Sequence, residues 1–512
     1  MYFNIVAQTN ENTVITEFTP TTDRSNGYQS EAQLEKEFIK QLVAQGYEYI
    51  SIGSEKDLIN NLRSKLEYLN HYTFSDNEWQ YLFNNTLANP KYHVVEKTKL
   101  IQEDYIQPLK RDDGTTKNIK LIDKDNIHNN KLQVLHQYVV DKEDGAKHDN
   151  RYDVTVLVNG LPLVHIELKR RGVPIREAFN QIKRYSRDSF FAGNGLFEYV
   201  QIYVISNGTN TKYYSNTTRE NVYKENDGAA KKAKTSNSFE FTSFWADSKN
   251  HTILDLEDFT KTFFAKHTIL SILTKYCVFT SEETLLVMRP YQITATERIL
   301  NRIEIANNYK KYGTIAGGGY IWHTTGSGKT LTSFKTAQLA TKLDYIDKVI
   351  FVVDRKDLDY QTMKEYDRFE KGAANSNSST RILQYQLEDR DRNGNPSEAK
   401  IIITTIQKLS TFIKKNPNHP VYQKHVVLIF DECHRSQFGD MHIAIVKHFK
   451  KYHIFGFTGT PIFADNIGAV QNIQCMTTEQ TFGDRLHSYT IVNAINDKNV
   501  LPFRVDYIRT MS

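Results

Sequence analysis

The stretch Ile321-Trp322-His323-Thr324-Thr325-Gly326-Ser327-Gly328-Lys329-Thr330 decides how the second part of this chain folds. Its physical reading is a phosphate cradle. Gly326 and Gly328 let the loop backbone, with Thr325 and Ser327 between and beside them, bring N–H groups close to a polyphosphate. Lys329 supplies a point charge for the β/γ-phosphates, and the Thr330 hydroxyl is placed to ligate Mg²⁺ at the positive end of a helix. The generic pattern G-x-x-x-x-G-K-[ST] has a glycine where this chain has His323.

Around the cradle, from residue 290 onward, short apolar runs alternate with helical patterns. Val349–Val353, Ile401–Ile403, Val426–Phe430 and His453–Phe457 are rich in β-branched or aromatic residues, as suits a parallel sheet covered on both faces. The expected fold is a doubly wound α/β domain with its chemistry on the loops after the strands. Val426–Phe430 runs straight into Asp431-Glu432-Cys433-His434, which puts one carboxylate on the nucleotide's Mg²⁺ and the next beside an attacking water. Phe457-Thr458-Gly459-Thr460-Pro461 ends the following strand with two hydroxyls near that site. Upstream, Gln292 in Arg289-Pro290-Tyr291-Gln292 can read adenine through its amide donor and acceptor.

The first part has a different grain. Ser30 as N-cap and Gln33 as its capping-box partner open a helix with Leu34, Phe38, Leu42 and Val43 as its apolar stripe, ended by Gly46. Residues 152–158 and 161–168 flank Asn159-Gly160, a strong hairpin signal. A helix over about 175–190, a strand over Val200–Ser206 and a polar loop at Asn226–Ser238 follow.

On the hairpin lie Asp153 and Glu167-Leu168-Lys169: two carboxylates that can share Mg²⁺ and a lysine that can orient the hydrolytic water. Alone the pattern D…ExK is unspecific. The next helix adds Gln181 and Tyr185 on one face, and the first helix offers Glu31 or Glu35 as a third acid. Parity is the difficulty. A plain two-residue turn pairs 158 with 161 and sends Asp153 and Glu167 to opposite faces, so metal sharing needs an odd loop or a bulge near Gly160 or Pro162. Lys169-Arg170-Arg171, Lys183-Arg184 and Arg187 surround the site, as phosphate contact or mere solvation would require.

Composition only bounds these readings. With 512 residues there is room for two to four domains, and a net charge of +5 does not by itself argue for nucleic acid. No apolar run approaches a membrane span, and the first residues lack the pattern of a signal peptide. Cys277, Cys433 and Cys475 form no metal or disulfide pattern, which fits a reducing cytoplasm.

In order and wording these motifs resemble the first motor lobe of superfamily 2 helicases and translocases. Within that group, Asp354-Arg355-Lys356-Asp357-Leu358-Asp359-Tyr360-Gln361, the run Asp431 to Gly439 and the run Phe482 to Tyr489 resemble the restriction (R) subunit of type I restriction-modification enzymes, over about 289–508. D…ExK followed by Q-x-x-x-Y is similar to the RecB-like nuclease module at the start of such subunits, over about 30–250. The resemblance implies a PD-(D/E)xK-type nuclease domain at 1–265, a mixed sheet with flanking helices, and a first RecA-like lobe at 266–512. It implies ATP and Mg²⁺ as cofactors. Lys329, Thr330 and Asp431 would bind phosphate and metal, Glu432 would activate water, and Thr458 and Thr460 would couple nucleotide state to DNA grip. Asp153, Glu167 and Lys169 would cut. Expected partners are double-stranded DNA and the methylase and specificity subunits of one complex. A second motor lobe and a helical region are expected beyond the last residue, so the sequence reads as the N-terminal portion of a longer protein. The competing readings are a helicase-nuclease of repair or defence without methylase partners, and a binding module whose D…ExK is decorative. Nuclease-first, motor-second order favours the restriction subunit.

Overall fold

A computed structural model describes residues 15–21, 29–140, 150–216, 239, 241–353, 356–369, 375–376, 379–391, 393, 395–396, 399–435, 440–463 and 477–497. The loop read at Asn226–Ser238, the dipeptide Asp354-Arg355 and the run 436–439 lie outside them. Two compact units divide between Arg289 and Pro290. Residues 266–289 pack with the first unit: Cys277–Phe279 pairs antiparallel with Leu285–Val287, and the Tyr213 hydroxyl donates to the Met288 carbonyl at 3.4 Å. The division therefore follows Arg289 rather than the 265/266 boundary read from the sequence.

The first unit is built on a six-stranded mixed sheet in chain order: β1 (Glu48–Ile50), β2 (Leu132–Val140), β3 (Asn150–Val158), β4 (Leu161–Leu168), β5 (Ile202–Ser206) and β6 (Thr211–Ser215). β1 joins β2 and β4 joins β5 in parallel; the other neighbours are antiparallel. Helix α1 (Glu31–Ala44) starts at the expected capping box, with Ser30 Oγ accepting from the Gln33 N–H at 3.3 Å and the Gln33 side-chain Oε1 accepting from the Ser30 N–H at 3.1 Å. Leu34, Phe38 and Leu42 are buried as expected, but Val43 is 44% exposed; a 100° step past Leu42 turns it off the stripe, and Ile39 fills the face. Helix α2 (Arg176–Asp188) buries Phe179, Ile182 and Tyr185.

The hairpin between β3 and β4 settles the parity question. Asn159 and Gly160 form a two-residue turn, both with positive φ (51° and 84°), so Val158 pairs with Leu161 and Leu157 with Pro162. The register then shifts: Val156 pairs with Val164, leaving Leu163 as one extra residue. Beside Pro162, which cannot donate to a ladder, the strand bulges and every later side chain changes face. Asn159 clamps the turn by accepting from the Lys131 N–H at 2.9 Å and donating to Asn130 Oδ1 at 2.8 Å.

The second unit is a seven-stranded sheet of spatial order β9-β10-β8-β11-β12-β7-β13, where β7 is Gly319–His323, β8 Lys348–Val353, β9 Asn375–Ser376, β10 Ile401–Thr405, β11 His425–Phe430, β12 Lys451–Thr458 and β13 Arg485–Tyr489. Every pairing in it is parallel. On one face Ile350, Val352, Leu428 and Phe430 pack against Leu409, Phe412 and Ile445 from two helices. On the other, Phe351 meets Tyr366, which meets Phe334 of α3 (Lys329–Ala340). Both faces are covered, as a parallel sheet requires.

Candidate active sites

The bulge carries the first site. One residue beyond the Val154–Ile166 pair, Asp153 and Glu167 now share a face, and both are buried. Asp153 Oδ2 accepts from the Leu168 N–H at 2.9 Å. Lys169 Nζ lies 2.9 Å from Glu167 Oε1, 3.3 Å from Glu31 Oε1 and 4.0 Å from Asp153 Oδ2. Burial, then Glu167, pushes Asp153 well above the carboxylate range; burial raises Glu167 as well, against the pull of Lys169. Two buried carboxylates with one ammonium leave a deficit of positive charge.

A divalent cation fits that deficit. Carboxylate oxygens of Glu31, Glu35 and Asp153 lie within 4.8 Å of one another, and Glu167 Oε2 is buried with no hydrogen-bond partner. The structure thus brings together all five charged residues expected here. Gln181 and Tyr185 sit one layer behind: Gln181 Nε2 is 2.5 Å from the Tyr185 hydroxyl, which donates to the Arg151 carbonyl at 2.8 Å. Arg171 is tied to Asp255 at 3.3 Å.

Three further residues neighbour this site, and for one of them, His165, alternation along β4 is a sequence signal, since it shares a face with Glu167. His136 Nε2 and Gln137 Nε2 approach Glu35 Oε2 at 2.8 and 2.9 Å. Gln137 has φ 51° inside β2, a left-handed backbone that costs a non-glycine residue about 1–2 kcal/mol. His165, wholly buried among Tyr152, Tyr185 and Phe190, points Nε2 at Glu167 Oε2 over 3.7 Å. β2 lacks a clear period of two, and convergence across strands is not written in any one segment.

The second site sits at the ends of β7, β11 and β12. Gly326 and Gly328 both have positive φ (79° and 76°), and Gly328 caps α3, so the loop turns under an open cradle with Lys329 and Thr330 in the first turn. Lys329 Nζ pairs with Glu432 Oε1 at 3.2 Å and lies 3.5 Å from the His323 carbonyl. Asp431 Oδ1 accepts from the Glu432 N–H at 2.9 Å; burial and the Glu432 charge push Asp431 up. Thr458 Oγ1 lies 2.9 Å from His434 Nδ1 and accepts from the Thr460 N–H at 3.0 Å. Gln292 is buried with its amide donating to the Ser327 and Gly328 carbonyls at 3.3 and 3.2 Å, so here it braces the loop. His323 is buried too: it bonds His487 at 2.9 Å and meets the Tyr291 ring edge-on, while the Tyr291 hydroxyl donates to the Ser327 carbonyl at 2.8 Å. An imidazole in the first glycine position thus supports the loop from beneath.

Two family models match, one described as the type I restriction enzyme R protein N terminus over residues 28–222, the other as the SWI2/SNF2 ATPase over 291–512. The chain is 42% identical over 493 residues to the type I restriction enzyme SsaAORF53P endonuclease subunit of Staphylococcus saprophyticus, covering 94% of this chain and 48% of that one. It is 41% identical over 494 residues to the SauCOLORF180P endonuclease subunit of Staphylococcus aureus, with the same shares of 94% and 48%. It is 48% identical over 300 residues to the EcoprrI endonuclease subunit of Escherichia coli, covering 58% of this chain and 90% of that relative. The chain belongs to the endonuclease (R) subunits of type I restriction enzymes. It spans about half the length of the staphylococcal relatives it matches.

Proposed function

We propose that this chain couples ATP-driven translocation of double-stranded DNA to Mg²⁺-dependent endonucleolytic cleavage away from the recognition site, as the restriction subunit working with methylase and specificity subunits. The unit that ends at Arg289, read as 1–265 from the sequence, is a PD-(D/E)xK-type nuclease domain, and the unit from Pro290 onward, read as 266–512, is a first RecA-like lobe. One observation carries this reading: the bulge at Leu163 sets Asp153 and Glu167 on one face with Lys169 between them, in a chain that also holds a phosphate loop with Lys329 against Glu432.

In the nuclease, Asp153 and Glu167, with an acid from α1, hold Mg²⁺, which when bound lowers the pKa of water and offsets charge on the scissile phosphate. Lys169 Nζ, fixed by Glu167 and the Leu168 carbonyl at 2.8 Å, orients the attacking water. In the motor, the β/γ-phosphates of ATP take Lys329 from Glu432, and the freed carboxylate orients the hydrolytic water. Thr330 and Asp431 hold the nucleotide's Mg²⁺; the Thr458 hydroxyl, shared by His434 and the Thr460 N–H, relays nucleotide state. A cytoplasmic location goes with this role. Cys277 and Cys433 are buried thiols outside any disulfide. No helix among the described residues is long and apolar enough to cross a membrane. The test is cleavage of a plasmid bearing the target site by the assembled three-subunit enzyme. Cutting is expected only with ATP and Mg²⁺ together; equal cutting without ATP would overturn the coupling.

A further inference from the structure

Successive side chains of a regular strand point to opposite faces. His136 and Gln137 are successive residues of β2, yet both reach the same oxygen, Glu35 Oε2, at 2.8 and 2.9 Å. The left-handed backbone of Gln137 makes that convergence possible. It falls between the His136–Val154 and Tyr138–Tyr152 pairs, at the level of Asp153 on the adjacent strand. Strain in mid-strand beside a cluster of acids is where backbone strain tends to be kept for function. The two acids of α1 differ in consequence. Glu35 is 3% exposed and has one oxygen fixed by two donors. Glu31 has a side chain 39% exposed, and its recorded partner is Lys169, which already neutralises part of its charge.

We propose that His136 and Gln137 are positioning residues that turn the free oxygen of Glu35 toward Asp153, making Glu35 rather than Glu31 the α1 ligand of the divalent cation. This rests on the nuclease reading above. Donors that hold a ligand carboxylate preset its geometry, and losing one typically weakens metal binding 10–100-fold. Both groups act through Glu35 and need touch neither DNA nor metal.

The experiment is Mn²⁺ binding to the whole chain, without nucleotide, followed by electron paramagnetic resonance, with thermal unfolding measured alongside. Gln137→Gly removes the donor while relieving the left-handed strain, so affinity should fall about tenfold with the unfolding temperature unchanged or higher. A merely structural Gln137 would give the reverse, lower stability with unchanged affinity, and that would overturn the proposal. His136→Gln, which can still donate from its amide, should retain more affinity than His136→Ala. Glu35→Gln should weaken binding more than Glu31→Gln; the opposite order would overturn the choice of ligand. Asp153→Ala separates the two levels of inference. If it leaves Mn²⁺ binding unchanged, the nuclease reading itself fails; if it abolishes binding while Gln137→Gly does not alter it, only the positioning role fails.

Discussion

A glycine in each unit shows how differently the two sites are made. A Cβ added to Gly160, in the nuclease hairpin, would meet the Leu62 Cα at 2.6 Å, whereas one added to Gly326, in the phosphate loop, would meet nothing within 4 Å. The hairpin turn is sealed into the fold, and its carboxylates are buried with it: Asp153 is 4% and Glu167 0% exposed. The loop is open, and its one strong charge, Lys329, is parked on Glu432 at 3.2 Å. A buried acid cluster keeps its geometry whatever is bound and relies on a cation to hold its charge. An open loop has a geometry completed by its ligand. On the proposed function, the first arrangement suits a site that must not fire until a motor delivers its substrate, and the second a site that exchanges ligand every cycle.

The comparison breaks first if the two chemistries are not separable. In the assembled enzyme, Asp153→Ala, Glu167→Ala or Lys169→Ala should each bring DNA cutting to background while DNA-stimulated ATP hydrolysis stays unchanged, as assayed in parallel by plasmid linearisation and phosphate release. A loss of ATPase from any of the three would join what we have separated. Lys329→Ala should instead remove both activities, hydrolysis falling at least about 10²-fold through loss of a charge aimed at the transition state. Near-normal hydrolysis would sink the loop's assignment. Glu432→Gln comes next: turnover should drop by about 10²–10⁴-fold. Binding of a fluorescent ATP analogue should hold or tighten, because Lys329 no longer leaves an anionic partner. Weakened binding would show that the carboxylate supports the loop rather than the water.

The two sites were also unequally legible. Motor residues occur in runs, Thr325–Thr330, Asp431-Glu432 and Thr458–Thr460, each placed at a strand end by its own apolar strand, so reading the segments nearly reads the site. The nuclease residues come from α1, β3, β4 and the residue after β4, and are united by tertiary register. Alternation alone exposed the parity conflict and required a bulge or an odd loop; the sheet resolves it at Leu163, beside Pro162, with the two-residue turn kept. Nothing local foretold the left-handed Gln137; His165, by contrast, stands two residues before Glu167 on one strand, and alternation alone puts the two on the same face. Gln292 shows a contact that its amide chemistry alone did not specify: packing against the loop lets its amide donate to the Ser327 and Gly328 carbonyls.

The smallest expected effect returns to the two glycines. Both have positive φ (84° at Gly160, 79° at Gly326), so alanine at either carries left-handed strain of about 1–2 kcal/mol. At Gly160 the added methyl also presses on the Leu62 backbone, which has no rotamer to give, and overpacking of that kind adds about 1–3 kcal/mol. Gly160→Ala should therefore speed hydrogen exchange of β3 and β4 amides in mild denaturant and loosen the parity that puts Asp153 beside Glu167, lowering cutting too. Gly326→Ala should leave the β7 and β11 amides almost as protected as before. Its methyl instead stands in the open cradle, where backbone N–H groups meet phosphate, so its effect should appear as weaker ATP-analogue binding. Equal loss of protection at both positions would mean that the loop is as tightly packed as the hairpin, and that the contrast between a sealed site and an open one does not hold.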